Sequence, residues 1–186
     1  MRRIATRAAG FAAVCAMSAG LLGAGLGAPA AASARTAPGP KFALDDPCTY
    51  ASRSLVARAL GRPVTAAVPS GTILCYLTLG PDADVPPNGR LAMVQDFPGN
   101  GAFKTARAQF EDRRAIEELS GFKLSDIYNL GRAAYANSSQ GAITVLENKK
   151  FGFTLRWIPA GRATITRGEA KSLERIARDV VARARD

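Results

Sequence analysis

Residues Ala142 to Ile158, AITVLENKKFGFTLRWI, decide how this chain folds. Phe151, Phe153, Leu155 and Trp157 alternate with Gly152, Thr154 and Arg156, the period of a strand with one buried face. Ala142–Glu147 has the same character, so the two segments read as a β-hairpin. Placing Ile143 and Val145 on the same face as Phe153 and Leu155 requires an odd-length turn near Asn148-Lys149. A slip of one residue would turn every apolar side chain toward solvent. Downstream, Thr166 followed three residues on by Glu169 is a capping box. The helix it opens carries Ala170, Leu173, Ile176, Ala177, Val180 and Ala184 in one stripe, with Lys171, Arg175, Arg178 and Arg185 opposite.

Upstream the pattern is similar but less regular. Asp46 can cap a helix that starts at Pro47 and ends at Gly61, with Cys48, Ala51, Leu55, Ala59 and Leu60 near one face. Thr72–Leu79 reads as a strand with Ile73, Cys75, Leu77 and Leu79 pointing inward. Gly80–Arg90, with its three prolines, is a loop, and Leu91–Phe97 a second strand. Pro98-Gly99-Asn100-Gly101 turns into a helix beginning near Ala102. Phe103, Ala106 and Phe110 keep helical spacing there, whereas Ala115, Ile116 and Leu119 occupy another face, so a bend is expected around Glu111–Arg114. Phe122–Gly131 is ambiguous, and Arg132–Ala136 reads as a short strand. The simplest assembly is α+β: an antiparallel sheet of four to six strands with two or three helices packed on one face.

The 186 residues carry a formal charge of +10, three cysteines and no histidine. Arg2, Arg3 and Arg7 precede an Ala-, Gly- and Leu-rich run to Leu26, and Ala32-Ser33-Ala34 fits a small-x-small processing site. Residues 1–34 therefore read as a secretory signal peptide cleaved after Ala34, residues 35–44 as a flexible linker, and residues 45–186 as one domain. Removing the signal takes away three arginines, no acid and Cys15, leaving +7 and two cysteines. An even pair in an oxidising compartment reads as a disulfide, Cys48–Cys75. By the loop-entropy estimate such a bridge stabilises the fold by about 3.5 kcal/mol.

The segments Asp46-Pro47-Cys48, Ala59-Leu60-Gly61, Cys75 on a strand and Leu130-Gly131-Arg132-Ala133-Ala134-Tyr135 form a pattern. Together with the Val145 hairpin and the Ala/Arg-rich last helix, they resemble the small secreted or lipid-anchored domains of unknown function of actinobacteria. The resemblance spans Asp45 to Arg185. It implies an envelope or secreted location, a structural disulfide and a compact α+β fold, and brings no catalytic residues. No acylatable cysteine lies at the processing site, so release rather than anchoring is expected.

Without histidine, Ser-His and Cys-His nucleophile pairs and His-ligated metal sites are excluded. Carboxylate chemistry stays open through Asp82, Asp84, Asp96, Glu111 and Glu147, but a sugar cleft needs aromatic platforms and Trp157 belongs to the core. Asp82-Ala83-Asp84 with Asn88-Gly89 lacks the ligand ladder of a calcium loop, and Gly99-Asn100-Gly101 lacks the Lys-Ser/Thr of a phosphate loop. No catalytic residue, cofactor or metal site is assigned. The basic excess remains: Arg107, Arg113 and Arg114 on one helix and Arg175 and Arg178 on another are candidate contacts to an anionic surface. The expectation is a non-enzymatic envelope or extracellular binding domain, with an anionic envelope polymer or an extracellular protein as partner. Specific nucleic-acid recognition and a membrane span after signal removal are not expected. The alternatives are an inhibitor presenting Gly80–Arg90 to an extracellular hydrolase, and a carboxylate-dependent hydrolase.

Overall fold

The computed structural model of the protein describes residues 41–80, 89–97 and 105–186. Residues 1–34, read above as a signal peptide, most of the stretch read as a 35–44 linker, most of Gly80–Arg90 and Gly99-Asn100-Gly101 lie outside the described residues. In chain order the elements are a 3-10 turn at Pro47–Thr49, α1 (Arg53–Leu60), β1 (Val64–Ser70), β2 (Leu74–Leu79) and β3 (Gly89–Asp96). There follow α2 (Ala106–Leu119), β4 (Leu124–Asp126), β5 (Ala133–Asn137), β6 (Ala142–Leu146), β7 (Gly152–Pro159) and α3 (Arg167–Arg183).

The hairpin that opened the sequence argument is the β6–β7 pair. Ile143 faces Leu155 and Val145 faces Phe153, joined by the five residues Glu147–Phe151, so the odd-length turn is present. On its other side β7 pairs with β3, Met93 opposite Leu155 and Leu91 opposite Trp157. The result is a seven-stranded antiparallel sheet ordered β1-β2-β3-β7-β6-β5-β4. Two meanders, β1–β3 and β4–β7, meet at the β3–β7 seam.

The α+β class holds, but the strand count exceeds the expected four to six. The extra strands are the edges. β1 (VTAAVPS) has no apolar alternation and β4 is three residues long, so backbone pairing rather than periodicity creates them.

Alternation gives the sheet two faces. Cys75, Leu77, Met93, Phe153, Leu155, Trp157, Ile143 and Val145 point to one, the disulfide face, and are all buried. Leu173, Ile176, Ala177 and Val180 of α3 and Val56 of α1 share that core. The Thr166 capping box is formed as expected, and its Glu169 also accepts the Trp157 Nε1–H at 2.9 Å, tying α3 to β7. Cys48 and Cys75 are bridged, with Cα atoms 5.1 Å apart. Phe42 stacks on Tyr50 at 5.3 Å and meets Phe151 edge-on at 5.6 Å. The end of the stretch read as a flexible linker is therefore part of this core.

Three local expectations need correction. The helix read from Pro47 to Gly61 is two pieces. Asp46 caps the 3-10 turn through the Cys48 N–H at 2.9 Å, and Ser52 caps α1 afresh through the Leu55 N–H at 3.2 Å. Between them the Thr49 hydroxyl donates to the Asp46 carbonyl at 2.7 Å, a local bond that competes with helix continuation. Ile73 precedes β2 and is exposed rather than inward. Helix α2 runs unbroken through Glu111–Arg114, because Ile116 and Leu119 face solvent and no second buried face has to be served.

Helix α2 covers the opposite face, so the helices divide: α1 and α3 pack together on the disulfide face, α2 alone on the other. Ala106 and Phe110 anchor it against Phe97, Tyr135 and Leu146. Gly152 makes this approach possible, since a Cβ there would run into the Phe97 ring and lie 2.8 Å from the Val145 carbonyl oxygen.

Candidate functional site

Thr105 caps α2 by accepting the Ala108 N–H at 3.1 Å, and the helix then projects its arginines on either side of the buried Ala106–Phe110 contact. Arg107 pairs with Glu111 at 2.7 Å. Arg113 reaches Asp96 of β3 at 2.9 Å and Glu117 at 3.3 Å. Arg114 reaches Glu118 at 3.0 Å and Asp126 of β4 at 2.6 Å, with its guanidinium 5.8 Å from the Tyr135 ring centre. On α3, Arg178 pairs with Glu174 at 2.6 Å and donates to the Asn129 carbonyl at 2.9 Å. Arg175 is exposed. The five candidate arginines thus lie on helices at opposite faces of the sheet, and Arg107, Arg113, Arg114 and Arg178 are held by acids. Arg113 and Arg114 bolt α2 to β3 and β4.

Beneath α2 these bolts continue into a buried polar network. Asn137 donates to Glu117 at 2.8 Å, the Tyr135 hydroxyl donates to the same carboxylate at 3.2 Å, and the Thr144 and Thr154 hydroxyls lie 3.2 Å apart. Thr154 also donates to Asp96. Burial pushes the Asp96 carboxyl up, and the Arg113 charge and the Thr154 hydrogen bond only partly offset it. Burial likewise moves the Tyr135 hydroxyl up to about 12. Asp96 and Glu117 are close carboxylates, but Arg113 lies between them and their oxygens are already engaged. The arrangement supplies docking rather than an exposed acid–base pair. Of the other carboxylates read as candidates, Glu111 is paired with Arg107, and Glu147 with Arg185 at 2.7 Å.

A second group of cations is gathered only by the fold. A cleft of about 500 Å³ opens where α2 starts beside the β6–β7 turn, lined by Thr105, Ala106, Arg107, Arg132, Leu146, Asn148, Lys149 and Lys150. Every charged residue in that lining is a cation. Strand alternation is the cause. Leu146 points into the cleft while the next residue, Glu147, points to the disulfide face and takes Arg185. The Asn148 side chain accepts the Lys150 N–H at 2.8 Å and shapes the turn that presents both lysines. Arg132 is set by Gly131, whose φ of +62° is left-handed, and whose missing side chain leaves room for the Leu146 carbonyl 2.7 Å from where a Cβ would stand. The Arg132 N–H donates to that carbonyl at 2.8 Å. Among the described residues no acid pairs with Arg132, Lys149 or Lys150. The available signal was Lys149-Lys150 in a hairpin turn, but its convergence with Arg132 and Arg107 depends on how β5, β6 and α2 meet.

Among the described residues no group of three His, Cys, Asp or Glu is placed to hold a metal ion, and no helix is long and apolar enough to cross a membrane. Trp157 is buried in the core, as its place in the alternation implied. Compared with known proteins, the chain matches no family model, no curated protein and no solved structure.

Proposed function

We propose that the protein is an exported, non-enzymatic binding domain that engages an anionic envelope polymer through the cleft of Arg107, Arg132, Lys149 and Lys150. The observation that supports this is the cleft's charge: four cations line a concave surface, and among the described residues only Arg107 of the four is paired with an acid. A concave wall of one sign concentrates an oppositely charged chain more strongly than the same charges on a convex helix. The Cys48–Cys75 bridge suits an oxidising compartment. The inhibitor reading rests on Gly80–Arg90, most of which lies outside the described residues.

Co-sedimentation of the mature chain with isolated envelope and with poly(glycerol phosphate) chains tests the proposal. Retention is expected at low salt, with loss as the Debye length shrinks from about 30 Å at 0.01 M to about 3 Å at 1 M. The triple variant Arg132→Glu/Lys149→Glu/Lys150→Glu should bind at least about tenfold more weakly, since a 1.4 kcal/mol loss already corresponds to that factor. Arg175→Glu, on the other face, should change little. Absence of retention on every anionic support, or equal loss in both variants, would overturn the reading.

A further inference from the structure

An apolar hollow of about 170 Å³ lies on the disulfide face, between the first turns of α3 and the strands β5 and β6. Small side chains create it. Strand β5 sends Ala134 and Ala136 to the side on which β6 sends Val145 and Ile143, so α3 has little to rest on past β6. Ile127, Ile143, Ile165 and Leu173 make the walls. Ile165 is seated by Gly141, where a Cβ would come within 2.6 Å of the Ile165 Cγ2. At the mouth stand the exposed residues Ser138, Arg167 and Lys171. Arg167 and Lys171 are four apart and so share one side of α3. Among the described residues neither forms an ion pair. Glu174, the acid in the lining, is taken by Arg178 at 2.6 Å.

We infer that this hollow binds a small carboxylic acid with one ring-sized apolar group, the ring inside and the carboxylate between Arg167 and Lys171. Size, lining and mouth each select that ligand. An apolar cavity of about 150 Å³ holds one benzene molecule. The hollow is close to that volume, so it takes one ring and is too small for a long acyl chain. Its aliphatic walls offer water few of the polar partners it needs, so an apolar group is favoured there. At the mouth two cations meet an anion, and the planar fork of Arg167 matches a carboxylate. Glu174 at the same opening limits the head to a single charge, because it repels a dianionic phosphate more strongly than a carboxylate. The hollow and the basic cleft share no lining residue, so the inference does not depend on the anionic-polymer reading.

Isoleucine-methyl NMR of the purified protein tests it, because Ile127, Ile143 and Ile165 line the hollow while Ile73 and Ile116 are exposed elsewhere. Titration with phenylacetate should shift the first three saturably and leave the other two in place. Benzyl alcohol and benzylamine, of similar size, should bind more weakly, the cation weakest. Arg167→Gln/Lys171→Gln should weaken phenylacetate about tenfold and benzyl alcohol little, which separates the charge from the hollow. Ala136→Leu fills the floor and should abolish the shifts with every probe. Ala170→Leu repeats that block from the helix side if Ala136→Leu impairs folding, with thermal melting as the control. Lys149→Glu/Lys150→Glu, in the basic cleft, should leave phenylacetate binding unchanged. Equal affinity for the three probes would mean an apolar hollow with no carboxylate site and would overturn the inference. So would an absence of saturable shifts, shifts at Ile73 or Ile116 instead, or phenylacetate binding indifferent to Arg167→Gln/Lys171→Gln.

Discussion

The two faces of the sheet are built by different physics. The disulfide face is dry: Leu77, Met93, Phe153, Leu155 and Trp157 pack against the stripe of α3, and a covalent bridge ties in Cys48. The other face is held by a small aromatic cluster, Phe97, Phe110 and Tyr135, together with the Asp96–Arg113–Glu117 network. Hydrophobic burial is non-directional and tolerates small shifts, whereas a buried charged network stabilises only when each partner is in place. The first face therefore sets most of the stability, and the second sets where one helix sits.

Core truncation separates the faces most strongly. Phe153→Ala on the disulfide face should cost about 5 kcal/mol, the upper end for a phenylalanine, because the Tyr50 and Phe151 rings packed against it prevent collapse. Phe110→Ala should cost about 3 kcal/mol, because α2 packs alone and can settle into the gap. Urea unfolding of both variants gives the difference, and equal losses would remove the distinction. Next is the bridge: Cys48→Ser/Cys75→Ser should lower stability by about 2–4 kcal/mol. Retention of full stability by that pair would mean that the dry core needs no covalent help.

Breaking the network should cost less. Arg113→Ala leaves Asp96 buried and uncompensated, but side-chain exposures of 36% and 15% reduce the penalty to about 2 kcal/mol. Asp96→Asn/Arg113→Met should recover about half of that loss in a double-mutant cycle. The smallest effect is in pH dependence, where the faces have opposite signs. Burial pushes Glu169 up, but Arg162, the Thr166 N–H and the Trp157 N–H outweigh it and hold the carboxyl at about 2 rather than 4.5. Its contribution is complete above 4.5 and disappears as pH falls toward 2, so Glu169→Gln should flatten that part of the acid limb. Asp96 is raised, so it favours the fold below its ordinary 3.8 and loses that contribution as pH rises through its elevated range. Asp96→Asn should remove this decline, as measured by thermal melts across the acid range.

The dry face was the more legible one. Its residues repeat every second position in β7 and at helical spacing in α3, and the capping box and cysteine pair are local signals. The register of β6 on β7 followed from the same alternation. The α2 face was harder to read. Its strand residues are Thr144, Thr154, Tyr135 and Asn137, which look solvent-facing until Glu117 and Arg113 lie over them. Pairs four apart on α2 can be read from spacing, but Arg113–Asp96 and Arg114–Asp126 join residues 17 and 12 apart through the fold. The candidate arginines lie on two helices at opposite faces of the sheet, and Arg107, Arg113, Arg114 and Arg178 are paired with acids, which their spacing along the chain shows only in part. The cleft that does converge draws on Lys149-Lys150, Arg132 and Arg107 from three elements.

By itself the amino-acid order determined the α+β class, the β6–β7 register, the span of the last helix and its cap, and the pairing of two cysteines. These follow from nearest-neighbour periodicity, capping chemistry and elimination, all of which act over short distances along the chain. The tertiary structure decided the edge strands, the division of the helices between two faces, the commitment of Arg113 and Arg114 to structure and the basic cleft. Each depends on which groups meet across the β3–β7 seam or beneath α2. Pairing and ion-pair energies depend on distance in space, which periodicity along the chain does not contain.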